Sequence, residues 1–128
     1  MIGIDTNVLV RYLTNDDEDQ GRRARAAIDG FTPDEPGFVS LVTLVETLWL
    51  LRSTFKVSRE DLLRTVTALV ASDRIHLQDE PAVDAAIALA RQANCDLPDA
   101  LVATLGSACH HTWTFDRRAA RLPGMKLL

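Results

Sequence analysis

Short apolar segments alternate with longer helical ones along the whole chain, and this alternation restricts the fold more than any other feature. Ile2 to Asp5 reads as a first strand, followed by a short helix through Leu13 that Asp5 or Thr6 can cap. The acidic cluster from Asn15 to Asp19 suits the start of a second helix running to about Asp29, because negative side chains in a first turn oppose the positive end of the helix dipole. TPDEPG is a loop by its Pro and Gly content. Phe38 to Ser40 then reads as a second strand, and Leu41 to Thr54 as a helix that is apolar almost all round, which implies near-complete burial. Ser58 with Asp61 resembles a capping box and opens a helix to about Ala71. Arg74 to Leu77 is a third strand, and Glu80 to Gln92 carries Val83, Ile87 and Ala90 at helical spacing. Leu97 to Cys109 forms another helix, with Pro98 tolerated near its start. Thr112 to Phe115 and Met125 to Leu128 are the last strands. Strands alternating with helices of roughly ten to fifteen residues predict an α/β fold: a central parallel sheet of four or five strands with helices on both faces, three layers in all.

A chain of 128 residues is long enough to bury a core and reads as a single domain, residues 1–128, with no repeat, low-complexity tract or long linker. Its 47% hydrophobic and 25% charged residues are ordinary for a soluble globular protein. The chain opens on a strand with no signal-type segment, and its most apolar run contains Glu46 and is too short to span a bilayer. Cys95 and Cys109 belong to no CxxC pair, so two ordinary thiols in a cytoplasmic protein are expected. His110 and His111 are neighbours that would point to opposite faces of a strand, which makes zinc a poor fit.

The net charge of −4 argues against a broad nucleic-acid-binding surface. The basic residues are nevertheless almost all Arg, the side chain suited to bidentate phosphate contact. Arg22, Arg23 and Arg25 read as a solvated helix face. Arg117, Arg118 and Arg121 divide evenly between that reading and a local phosphate-facing edge.

Four acids stand at matching joints of the alternation. Asp5 closes MIGID, Glu46 is the only charge in LVTLVETLWLL, Asp99 begins DALVATLG, and Asp116 closes HHTWTFD. In parallel sheets ligands bind beyond the carboxyl ends of the strands, so these carboxylates are expected to converge at one end of the sheet. Clustered carboxylates repel one another unless a cation lies between them, and hard oxygen donors suit Mg²⁺ or Mn²⁺. Singly, three of the four have plain structural readings: Asp5 and Asp116 as helix N-caps, Asp99 as an acid favoured in a first turn. Glu46 differs, since it sits among Val42, Thr43, Trp49 and Leu50 with no basic residue within a turn, and burial there would need a partner or a charged site. Asp96 is secondary, being equally able to cap the helix that starts at Leu97. Asn7 and Thr114 are neutral polar groups that could support a metal-bound water or serve as turn and capping groups.

Taken together, IDTNVLVRYL, the acid of SLVTLVETLWLL, DLPDALVATL and TFDRRAARLPG resemble a PIN domain, and more narrowly the short PIN proteins that act as VapC-type toxins of toxin–antitoxin pairs. The resemblance runs the length of the chain. It implies a metal-dependent endoribonuclease with Mg²⁺ or Mn²⁺ held chiefly by Asp5 and Asp99, and with Glu46 and Asp116 completing the set. Thr114 matches the small hydroxyl residue before the last acid, and Arg117 and Arg118 are candidate RNA phosphate contacts. A homodimer and a small cognate antitoxin, its tail placing a basic side chain among the acids, are implied as well. The alternatives are a non-catalytic PIN-like interaction module, a DNA-directed nuclease of the same fold, and an aspartyl-phosphate phosphatase or receiver domain. The last is poorly matched, with Asn7 where a second acid belongs and Lys126 arriving near the end of the chain.

Overall fold

The computed structural model describes residues 1–128 and divides them into two compact units, Met1–Gln78 and Asp79–Leu128. The first unit contains β1 (Ile2–Gly3), α1 (Thr6–Leu13), α2 (Glu18–Asp29), β2 (Gly37–Val39), α3 (Leu41–Ser53), α4 (Arg59–Ala71) and β3 (Ile75–Leu77). The second contains α5 (Glu80–Ala93), α6 (Leu97–Leu105), β4 (Thr112–Thr114), a single 3-10 turn (Ala119–Arg121) and β5 (Met125–Leu127). All strand pairing is parallel, so the chain is α/β as the alternation predicts. The strands form a three-stranded ladder, β1-β2-β3, in the first unit and a two-stranded ladder, β4-β5, in the second.

In the first unit Ile2 pairs with Gly37, and Gly37 with Ile75. Gly37 has to be glycine for close packing: a Cβ there would lie 2.6 Å from the Phe31 ring and 2.8 Å from the Ile4 side chain. Phe31 and Ile4 are both buried and have little room to give. The core is aliphatic, with Leu9 and Val10 of α1, Ile28 of α2, Leu44, Leu48 and Leu51 of α3, and Val66 of α4 all buried beside Val39, Ile75 and Leu77 of the sheet. Helix α1 packs on α2 and α3, and α4 packs on α3 and β3.

Side-chain caps start the helices where Ser and Asp stand before apolar runs. Ser40 Oγ accepts from Thr43 N at 3.1 Å and Ser58 Oγ from Asp61 N at 3.1 Å. Only half of the expected capping box forms, because the Asp61 carboxylate turns to Arg64 at 2.9 Å instead of reaching back. Asp is a carbon shorter than the Glu that normally closes this box. Helix α2 begins at Glu18 with Asp17 as its cap. Asp16 stays outside it, held by Thr14 and Arg11 at 2.7 and 2.6 Å.

Two helices differ from expectation. Helix α3 is not nearly buried: Val42 and Trp49 are 68% and 65% exposed, and Glu46 shares their open side. Apolar composition all round shows that any face could be covered, but not which face has a neighbour. Helix α6 stops at Leu105 rather than Cys109. At Gly106 the chain passes so close to Thr112 that a Cβ would meet its hydroxyl at 2.5 Å.

In the second unit α5 packs against α6 through Val83, Ala86, Ile87 and Ala90, with Leu97, Ala100 and Leu101 also buried. Asn94 caps α5 in the left-handed region at φ 51°, a conformation Asn tolerates better than most residues. No helix of the chain is long and apolar enough to cross a membrane.

Candidate functional site

The chain leaves β1 at Gly3 and enters α1 at Thr6, so Asp5 stands at the carboxyl end of a parallel strand and at the N-terminus of a helix together. Its Oδ1 accepts from Val8 N at 3.0 Å, which is the capping role the sequence allowed. That bond uses one carboxylate oxygen. Asp5 is exposed and forms no ion pair, so its second oxygen faces solvent without a protein partner.

The next residue ties a second acid to this point. Thr6 Oγ1 donates to Glu46 Oε2 at 2.6 Å, bringing the α3 carboxylate to the beginning of α1. Glu46 is exposed and has no cationic partner, so the desolvation cost expected of a buried Glu does not arise. What holds Glu46 in place is the Thr6 hydroxyl, not enclosure. In the sequence Thr6 is legible only as an alternative cap, and the one signal of its role is a hydroxyl directly after a strand-terminal acid.

Asn7 is exposed on α1 and lines, with Asp5, Arg11, Gln20 and Arg23, a cavity of about 430 Å³ between α1 and α2. One wall of this cavity is fixed by Arg11, which donates to Gln20 at 2.8 Å and to Asp16 at 2.6 Å. A hydrogen bond from Thr14 and the Arg11 charge hold the Asp16 carboxyl below its ordinary value of 3.8. Arg23 belongs to the group read as a solvated face. Its contact to Asp19 is a loose 3.6 Å and its side chain is 75% exposed, so it lines the cavity and faces water at once.

The other two acids lie in the second unit. Asp99 is half-buried in the first turn of α6, directly after Pro98. Asp96 is the N-cap residue of that helix, yet its side chain makes no capping bond, contrary to the role the sequence allowed. Asp116 follows β4 and is exposed. Its Oδ1 accepts from Arg118 N at 2.7 Å and Ala119 N at 3.1 Å, opening the 3-10 turn. Thr114 Oγ1 accepts from Asp116 N at 3.0 Å, so it shapes the approach to this acid as a turn residue. Arg117 and Arg118 are exposed and form no ion pair. Within neither unit does a group of three or more His, Cys, Asp or Glu side chains gather in a metal-holding cluster.

The PIN domain family matches residues 2–124, nearly the whole chain: the protein belongs to the PIN domain family. No curated protein matches it. Among solved structures, a toxin–antitoxin complex from Klebsiella pneumoniae is similar at 23% identity, over 98% of this chain and 95% of that one, with a TM-score of 0.40.

Proposed function

We propose that the chain is a metal-dependent endoribonuclease, the toxin of a VapC-type toxin–antitoxin pair, cutting RNA to 5′-phosphate and 3′-hydroxyl ends. The observation that carries this reading is the acid pair at the carboxyl end of β1. Asp5 and Glu46 are exposed and form no ion pair, and Thr6, the residue after Asp5, holds Glu46 through its hydroxyl at 2.6 Å. PIN domains are typically metal-dependent nucleases, which adds support from the family. The toxin role and the choice of RNA rest on the resemblance of the motifs to VapC-type proteins. The family match spans both units, and we read them as one PIN domain.

The donor chemistry fits a hard divalent ion. Carboxylates held together without a counter-charge repel, and oxygen-only donors favour Mg²⁺ or Mn²⁺ over zinc. Asp5 and Asp99 would chiefly hold the ion, with Glu46 and Asp116 completing the set. Bound there, it would supply Lewis acidity toward water and the scissile phosphate. The chain's own groups prepare that set. The Val8 amide fixes the Asp5 rotamer, the Thr6 hydroxyl fixes Glu46, and two backbone amides fix Asp116, each leaving carboxylate oxygen free to act. Asn7 stands beside Asp5 as a neutral polar support, and Arg117 and Arg118 offer unneutralised guanidinium groups to RNA phosphate. A cognate antitoxin would inhibit by placing a basic side chain among the acids, and a homodimer is the expected assembly.

Cleavage of structured RNAs with Mn²⁺, with and without chelator, tests this reading beside D5N and E46Q. The wild type is expected to cut RNA only with metal, and both variants to be inactive. Equal cleavage by D5N would refute the catalytic assignment. Cleavage of DNA in preference to RNA would redirect it, and inactivity on both would favour a binding module.

A further inference from the structure

Strand β4 carries one exposed aromatic ring and is flanked by two more, none used by the proposed catalytic set. Trp113 is its central residue, His111 directly precedes the strand and Phe115 directly follows it. Thr112, at an intervening position, faces inward against Gly106, which sends Trp113 the other way. Trp113 is 63% and Phe115 80% exposed, and water-facing rings of this size cost solvation unless something covers them. The His111 and Trp113 rings already touch, with centroids 5.5 Å apart and planes tilted by 52°. Lys126 of β5 is the register partner of Trp113 and projects from the same face.

The charge around these rings indicates what they meet. Residues 110–128 hold four basic side chains and one acid, a local +3 in a chain of net charge −4. Arg117, Arg118, Arg121 and Lys126 are all exposed and none forms an ion pair. Exposed rings interleaved with unneutralised cations match a single-stranded nucleic acid, whose bases stack on the rings while its phosphates meet the cations. A protein partner covering the same area would have to leave those cations desolvated or bring matching acids.

We propose that the rings of His111, Trp113 and Phe115, on and beside β4, stack unpaired RNA bases and direct the adjoining phosphate toward Asp116, one residue beyond Phe115. The choice of RNA over DNA rests on the ribonuclease reading above. The stacking itself does not. The substrate it selects is an unstructured segment or a splayed loop, because a duplex keeps its base faces stacked on each other.

The test is binding of a fluorescent 12-nucleotide single-stranded RNA to the full chain in chelator, read by anisotropy, with the matching duplex as a second arm. In a W49F background Trp113 is the sole indole, and its emission is expected to quench on binding. F115A and W113A are expected to weaken single-stranded RNA binding about tenfold each, F115Y and W113F to retain it, and duplex binding to be weak and insensitive to all four. F115A removes a ring that is 80% exposed, so it keeps the test decisive should W113A fold poorly. Unchanged affinity in F115A overturns the proposal, as does loss of self-association in F115A with no change in RNA affinity. Binding lost in F115A while the wild type never cleaves RNA would refute the nuclease and leave the stacking face standing. Cleavage with no effect of F115A on binding would do the reverse.

Discussion

Thr6 is the smallest feature with the largest consequence for the proposed chemistry. Its hydroxyl holds Glu46 at 2.6 Å, so T6V should leave both acids present but free Glu46 to swing. Groups that orient a metal-binding carboxylate typically contribute about ten- to hundredfold to activity. Cleavage by T6V should fall within that range and by E46Q further, with circular dichroism showing both folded. A fall in T6V as deep as in E46Q would mean that Thr6 itself meets substrate or metal. Asp16 supports a second prediction at this scale. Its carboxyl is held below 3.8 in the folded chain, chiefly by the Thr14 hydroxyl and then by Arg11, while the unfolded chain titrates at the ordinary value. The folded state therefore binds fewer protons, and this contribution to stability is complete above that value. It fades as pH falls through 3.8 and is gone below the folded pKa. Denaturant midpoints of wild type and D16N should differ at pH 6 and draw together as pH falls below 3.8.

Helix α3 carries the tension among the elements. It supplies Leu44, Leu48 and Leu51 to the core, yet shows Val42 and Trp49 to water. It also buries the Thr47 hydroxyl, 1% exposed, with no hydrogen-bond partner. A buried donor without a partner costs about 1–3 kcal/mol, so T47V, which keeps the shape and removes the hydroxyl, should be neutral or raise stability by about 1 kcal/mol. Chemical denaturation decides the point, and a clear loss would reveal a partner for that hydroxyl. Helix α4 gives the opposite case. S58A removes the bond to Asp61 N and should cost about 1 kcal/mol, little affected by salt because the lost contact is to a backbone amide.

For the whole molecule, the question is how ion binding couples to folding. A ligand held only by the native state raises its stability by RT ln(1 + [L]/Kd), about 1.4 kcal/mol at ten times Kd. Mn²⁺ should raise the melting temperature of the wild type, chelator should reverse the rise, and D5N should lose it, all without reference to cleavage. A shift of equal size in D5N would place the ion elsewhere. The −4 net charge fits a nuclease whose nucleic-acid contacts are local. Most of the cation supply near β4 is concentrated in Arg117, Arg118, Arg121 and Lys126.

Much of this was legible before any coordinates. Short apolar segments, helical spacing and capping residues put every strand and α-helix, though not the 3-10 turn, within a few residues of its place, because these are local properties that survive in a linear string. The same locality made Asp5 readable as a cap, whereas the close approach of Gly106, the C-cap of α6, to Thr112 of the following strand is a tertiary contact that no local pattern records. Motif order carried the PIN resemblance, and the family match over residues 2–124 agrees with it. Only the tertiary structure showed that Glu46 is exposed and tied by Thr6, forty positions away, and that α3 leaves one face open. Only it showed that the β4 rings face water beside unpaired cations. Burial and partnership are set by which surfaces meet, and a one-dimensional pattern records what a side chain prefers without recording what lies opposite it.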